Sequence, residues 1–175
     1  MEMKELIVAV QEWSKNKGLD KADSRGQFLK VVEEVGEIGE ADVFLESCRM
    51  DISRVGFDMY KDAIGDTYVT LIILAQQKNI EFTELWDGSK GFYAHDKNDI
   101  LVSLGSIAGH LARGKDDSVE GIKYAIFNII LSLKNLALEN GFTSEECLEM
   151  AYNVIAKRKG KMVDGVFVKE EDLVK

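Results

Sequence analysis

The chain has 175 residues, 46% of them hydrophobic and 30% charged, with a formal net charge of −9. That balance describes a single folded domain long enough to bury a core and excludes a disordered chain. It also excludes a protein that coats nucleic acid through a Lys and Arg surplus, so a phosphate ligand would have to be bound through cations. Proline is absent altogether. Because proline is the residue that most sharply breaks helices, its absence beside long Leu/Ile/Ala/Glu/Lys-rich segments predicts an all-α helical bundle.

In chain order, Leu6, Ile7, Val10 and Trp13 recur at helical spacing and predict a first helix over 2–17, with Gly18 as its stop. Residues 19–25 are polar and read as a loop, with Asp23 or Ser24 available as an N-cap. The second helix is expected over 27–48. Its Gly36 and Gly39 cost about 1 kcal/mol each relative to Ala, which points to the close approach of another helix or of a ligand. A charged connection over 49–58 leads to a third helix over 59–79, apolar nearly all round and so the most buried. A short segment over 83–86 precedes a Gly-containing loop over 87–96 that holds His95. Three further helices are expected over 96–112, 118–140 (stopped by Gly141) and 144–159, the last with Ser144 and Glu146 near a capping arrangement. Asp164-Gly165 between β-formers predicts a short C-terminal β-hairpin over 162–168.

No secretory h-region opens the chain, and apolar runs such as 69–75 are too short to span a bilayer, so a cytoplasmic protein without a membrane partner is expected. Cys48 and Cys147 fit neither a metal spacing nor a disulfide framework and read as free thiols.

Laid without gaps on the third helix from Ala63 to Ala75, the sixth helix from Ala125 to Ala137 agrees at both ends and at two leucines between, with Asn128 where Asp66 stands. The fifth helix repeats the apolar rhythm of the second but has Ser106 and Gly109 in place of two glutamates. The expected domain is therefore 1–175. It comprises an acidic half (1–86), a degenerate repeat (96–140) built for packing, and a basic closing helix and hairpin (144–168).

The acidic half carries the chemistry. Residues three and four apart share a helix face, so Glu33, Glu37 and Glu40 form one row, Glu34 overlaps Glu37, and Asp62 and Asp66 pair on the next helix. Like charges at this spacing weaken a helix by a few tenths of a kcal/mol per pair. A solvated acidic face would show the same acids, but these interrupt apolar faces on two successive helices. Carboxylates from two helices can hold Mg²⁺ or Mn²⁺, hard cations that prefer oxygen ligands and leave water positions for phosphate oxygens. No His lies on these helices, which disfavours a di-iron bundle.

Glu34-Val-Gly-Glu37, followed some 25 residues on by Ile64-Gly-Asp66, resembles the Glu-x-x-Glu and Glu-x-x-Asp signature of the all-α nucleoside triphosphate pyrophosphohydrolases, the MazG-like proteins and the related dimeric dUTPases. Residues 146–161 look like the Asn, Lys and Arg helix that closes MazG-like domains, so the likeness covers about 4–80 and 144–168. It implies a metal-dependent hydrolysis of (d)NTP to (d)NMP and diphosphate, with Mg²⁺ or Mn²⁺ held by Glu34, Glu37 and Asp66 and with Glu33 or Glu34 aligning the water. It also implies a homodimer, although the repeat could stand in for a partner's helices within one chain. A dUTPase-like or signalling-nucleotide hydrolase, or a non-catalytic helical nucleotide- or partner-binding protein, are the alternatives. Ala63 stands where the signature has its first Glu, so either Asp62 substitutes from one residue earlier or the site binds fewer ions.

Toward a nucleoside triphosphate, Asn153, Lys157, Arg158 and Lys161 offer a basic end that could equally complement a helix macrodipole. Lys30 could touch a phosphate or pair with Glu34. Trp13 could stack on a base or belong to the core.

Overall fold

Where the chain can turn decides how long its helices are. The computed structural model describes residues 1–47, 53–91, 96–113, 118–163 and 166–170. The first helix, α1 (Met3–Asn16), ends as Gly18 takes φ 73°, and a 3₁₀ turn (Leu19–Lys21) follows. The second, α2 (Ser24–Ser47), begins three residues earlier than the apolar pattern predicts. There the Asp23 carboxylate accepts the Arg25 backbone N–H at 2.9 Å, satisfying a donor that the first turn leaves open.

Helix α3 (Ser53–Gln77) runs well into the expected charged connection, whose remaining residues with Cys48 lie outside the described ones. The reason is tertiary. A Cβ on Gly56 would stand 2.4 Å from Leu45 Cδ2, so α2 and α3 touch closely beside their connection. Phe57 also meets Phe142 edge to face, with centroids 6.3 Å apart. Contacts of this kind override a polar local pattern.

Helix α4 (Phe82–Gly88) extends two residues into the expected loop, of which 92–95, including His95, lie outside the described residues. Helices α5 (Lys97–Arg113) and α6 (Ser118–Glu139) follow. The last helix, α7 (Ser144–Ile155), is capped by Thr143 rather than Ser144: Thr143 Oγ1 accepts the Glu146 N–H at 3.1 Å, and the Glu146 carboxylate accepts the Thr143 N–H at 2.8 Å. It ends four residues short of the expected 159, so Lys157 and Arg158 sit in the turn beyond it. That turn leads to two short strands, β1 (Gly160–Val163) and β2 (Val166–Lys169), paired antiparallel with Gly160 opposite Lys169. Residues 164 and 165 and the Lys161 side chain lie outside the described ones.

The result is an all-α bundle. Helix α3 packs along α2, and α6 along α5; α7 rests mainly on α3, and α4 on α6. Each pair's following helix thus covers the other pair's core helix. Leu71, Ile72, Leu74 and Ala75 of α3, with Ile126, Ile129, Ile130 and Leu133 of α6, are fully buried. Over Val119–Glu139, α6 is long and apolar enough to cross a membrane by length and composition, but it is mostly packed inside this bundle.

The gap-free correspondence of α3 and α6 continues past their ends. Thr70 Oγ1 donates to the Asp66 carbonyl and Ser132 Oγ to the Asn128 carbonyl, both one turn back. Asn79 (φ 55°) and Gly141 (φ 79°) occupy the same left-handed stop, and Ile80 and Phe142 return their N–H groups to the Ala75 and Ala137 carbonyls at 2.9 and 2.8 Å. These are matching Schellman closures.

Candidate functional site

Contacts from Leu45–Gly56 at one end to Gln27–Thr70 at the other run in opposite order along α2 and α3, so the two helices are antiparallel. The buried Gln27 amide donates to the Thr70 carbonyl at 3.0 Å and fixes the register near the carboxylates. That register brings Glu34 level with Asp66, and Glu37 level with Asp62.

Four carboxyl groups therefore share one field. Glu34 is pushed up to about 7 by burial first, then by Asp66, Glu37 and Glu33, with Lys30 opposing. Asp66 is pushed up to about 6 by burial and then by Asp62, with Arg158 opposing. Burial and the Asp62 charge raise Glu37, and burial raises Asp62 against the pull of Arg158. Each acid thus holds its proton more tightly than in water, as unneutralised like charges do in partly desolvated sites.

Burial separates the two positions at the motif's doubtful point. Ala63 is only 1% exposed and belongs to the core, whereas Asp62 acts on both Glu37 and Asp66. On this helix, the acid at 62 faces the row and a side chain at 63 does not.

Gly65 is the residue that sequence reasoning left without a role. A Cβ there would stand 2.3 Å from the Cys147 carbonyl oxygen and 3.0 Å from Ala151 Cβ. Its absence lets α7 lie against α3 beside Asp66, and the turn after α7 then brings the Arg158 charge to bear on Asp62 and Asp66. The signal was a glycine within a strongly apolar helix. Gly36 and Gly39, where the close approach of a helix or a ligand was expected, have no atom of another described element within 4 Å of where a Cβ would stand. They instead floor an open groove of about 570 Å³ with Glu40, Val43 and Met59 along it.

The other expected residues divide. Lys30 Nζ pairs with Glu33 at 2.5 Å rather than with Glu34. Asn153 and Lys157 are exposed, Asn153 on α7 and Lys157 in the turn after it. Trp13 packs partly buried on the core from α1, whose main neighbours are α7, α3 and the 3₁₀ turn. The Cys147 thiol is free and buried, pushed up to about 12 by that burial, and so has no nucleophilic character at neutral pH. Among the described residues, no three His, Cys, Asp or Glu side chains converge closely enough to hold a metal ion as they stand.

The chain is 28% identical over 81 residues to an uncharacterized 18.2 kDa protein in the rep-hol intergenic region of Haemophilus phage HP1. The match spans 46% of this chain and 44% of that protein, less than half the length of either. No family model matches the chain, and no solved structure does.

Proposed function

We propose that this chain is a metal-dependent nucleoside triphosphate pyrophosphohydrolase of the cytoplasm, converting (d)NTP and water to (d)NMP and diphosphate. The observation that carries the reading is the field of Glu34, Glu37, Asp62 and Asp66. Four carboxyls from facing turns of two helices are raised by burial, and Glu34, Glu37 and Asp66 further by neighbouring acids, with Arg158 and Lys30 as the cations that oppose them. Their oxygen donors suit Mg²⁺ or Mn²⁺, and Glu37 and Asp62 are exposed enough to change rotamer and draw inward. A bound divalent cation would neutralise phosphate charge and acidify a coordinated water. Glu34, half-buried among the other acids, is the residue to align the attacking water and accept its proton; Glu33, held by Lys30, sits one position back. Arg158 would meet a phosphate oxygen with a planar pair of donors. The same reading takes α2 to α4 and α5 to α7 as two copies of one unit, the second without its acids.

The test is incubation with a panel of nucleotides and Mn²⁺ or Mg²⁺, measuring diphosphate against orthophosphate, for the wild type beside Glu37→Gln. Metal-dependent diphosphate release that Glu37→Gln abolishes is expected. Orthophosphate as first product would exclude a pyrophosphohydrolase. The dispersed acids favour one second reading, a helical nucleotide-binding protein with a decayed site. It requires nucleotide binding without turnover.

A further inference from the structure

We propose that the groove along the C-terminal half of α2 seats the nucleoside of the nucleotide, its sugar hydroxyls donating to the Glu40 carboxylate and its base lying on Val43, Phe44 and Met59. The inference rests on the nucleotide reading of the carboxylates and deepens it: the protein reads the sugar and tolerates several bases.

Helix geometry orders the groups along the seam between α2 and α3. The antiparallel register sets Glu34 level with Asp66, Glu37 with Asp62 and Glu40 with Met59. At 1.5 Å per residue, Glu40 lies about 4.5 Å beyond Glu37 and Phe44 about 10 Å beyond it. Arg158 acts at the other end, on Asp62 and Asp66. Cation, acids, a further carboxylate and an apolar wall thus follow one another as outer phosphates, metal-bound phosphate, sugar and base do in a nucleotide.

The space suits this occupant. Its volume of about 570 Å³ is that of a small-molecule site. Gly36 and Gly39 leave its floor open at a cost to the helix, and no neighbouring helix of the described chain uses the room. Among the described residues, Glu40 is the charged one along the groove. Its carboxylate accepts hydrogen bonds and repels phosphate, so it favours sugar hydroxyls and turns the phosphates toward the metal and Arg158. Ser47, also on the wall, gives its hydroxyl proton to the Phe44 carbonyl at 3.0 Å. The base therefore meets apolar side chains and an aromatic ring, a contact that every base can make.

The test needs neither metal nor turnover. The full chain in chelator is titrated with nucleosides while the methyl resonances of Met59 and Val43, both partly exposed, are followed by NMR. Adenosine, guanosine and cytidine are expected to shift both methyls, with Kd values within about tenfold of one another. Dideoxyadenosine, which lacks both sugar hydroxyls, should bind roughly fivefold more weakly than adenosine, and Glu40→Ala should abolish that difference. Gly39→Leu should weaken adenosine about tenfold while Tm is kept or raised, which separates a filled groove from a damaged fold. Methyls that no nucleoside moves would overturn the proposal, as would a sugar preference that survives Glu40→Ala. Diphosphate release with unmoved methyls would keep the catalytic reading and sink the groove. Nucleoside binding that obeys Glu40, without diphosphate release from any nucleotide, would do the reverse.

Discussion

The α2–α3 pair and the α5–α6 pair share a backbone plan and differ in what they do with charge. Both core helices end in the same left-handed closure, both carry a hydroxyl that bonds one turn back, and both bury the same alanines and leucines. The first pair then gathers four carboxyls that burial raises, three of them raised further by a neighbouring acid, while the second has Asn128 in place of Asp66 and an uncharged face on α5. The second pair folds without the acids, so packing does not require them in the first. On the proposed reading their electrostatic cost is offset by binding something positive, and for that reason the carboxylates rather than the groove or the basic turn carry the functional proposal.

The largest expected effect breaks the comparison at its key position. Asp66→Asn should lower metal-dependent nucleotide turnover by about two orders of magnitude, as loss of a centrally placed charged group does. Asn128→Ala, its counterpart, should leave turnover within about twofold. Initial rates of diphosphate release at saturating Mn²⁺ measure both, and equal losses would mean that the site does not lie on α2 and α3. Next in size is Gly65→Ala, whose methyl must displace the α7 backbone at Cys147. Overpacking against backbone should cost about 3 kcal/mol. That is a drop of roughly 6–12 °C in Tm for a chain of this size. An unchanged Tm would show that α7 yields freely, and Arg158 would then have no fixed relation to Asp66.

Much of this was legible in sequence because it depends on local spacing. The i, i+3 and i, i+4 acids, the stops at Gly18 and Gly141, and the run of core positions on the third helix all follow from a 3.6-residue period. Whatever depends on a second helix was not legible. The start of α3 at Ser53 needs Leu45 against Gly56, and the end of α7 before Lys157 needs the turn into β1. Gly65 could be read only once Cys147 and Ala151 were seen opposite it. Gly36 and Gly39 gave no neighbouring helix for the same reason, since a glycine permits close approach without saying whether a helix approaches.

A smaller effect sharpens the electrostatic half of the comparison. An acid whose folded pKa is raised binds protons more tightly when folded, so its contribution to stability falls as pH rises from the unfolded value to the folded one. For Glu34 that window runs from 4.5 to about 7, and for Asp66 from 3.8 to about 6. In chelator, the protein should therefore lose stability between pH 5 and pH 7.5. Both groups are partly solvated, so screening reduces the loss attributable to Glu34 to about 1 kcal/mol, or roughly 2–4 °C. The difference in Tm between wild type and Glu34→Gln isolates it: Glu34→Gln should be the more stable at pH 7.5 and nearly equal at pH 5. A wild type that is the more stable at pH 7.5 would reverse the sign and remove the case for an uncompensated acidic field.

The smallest effect tests whether the two halves end alike. Asn79 and Gly141 hold the same left-handed stop, but asparagine already bears the Cβ strain that glycine avoids. Gly141→Ala introduces that strain and should cost about 1 kcal/mol, whereas Asn79→Gly relieves it and should gain a few tenths. Asn79→Ala keeps the Cβ but loses the amide's tolerance of the left-handed region, so it should fall between wild type and a full cap loss. Urea midpoints at constant m-value resolve differences of this size. If Gly141→Ala is neutral while Asn79→Ala is costly, the closure after α6 is held by Phe142 and its packing rather than by the backbone. The likeness of the two halves would then stop at Ala75 and Ala137.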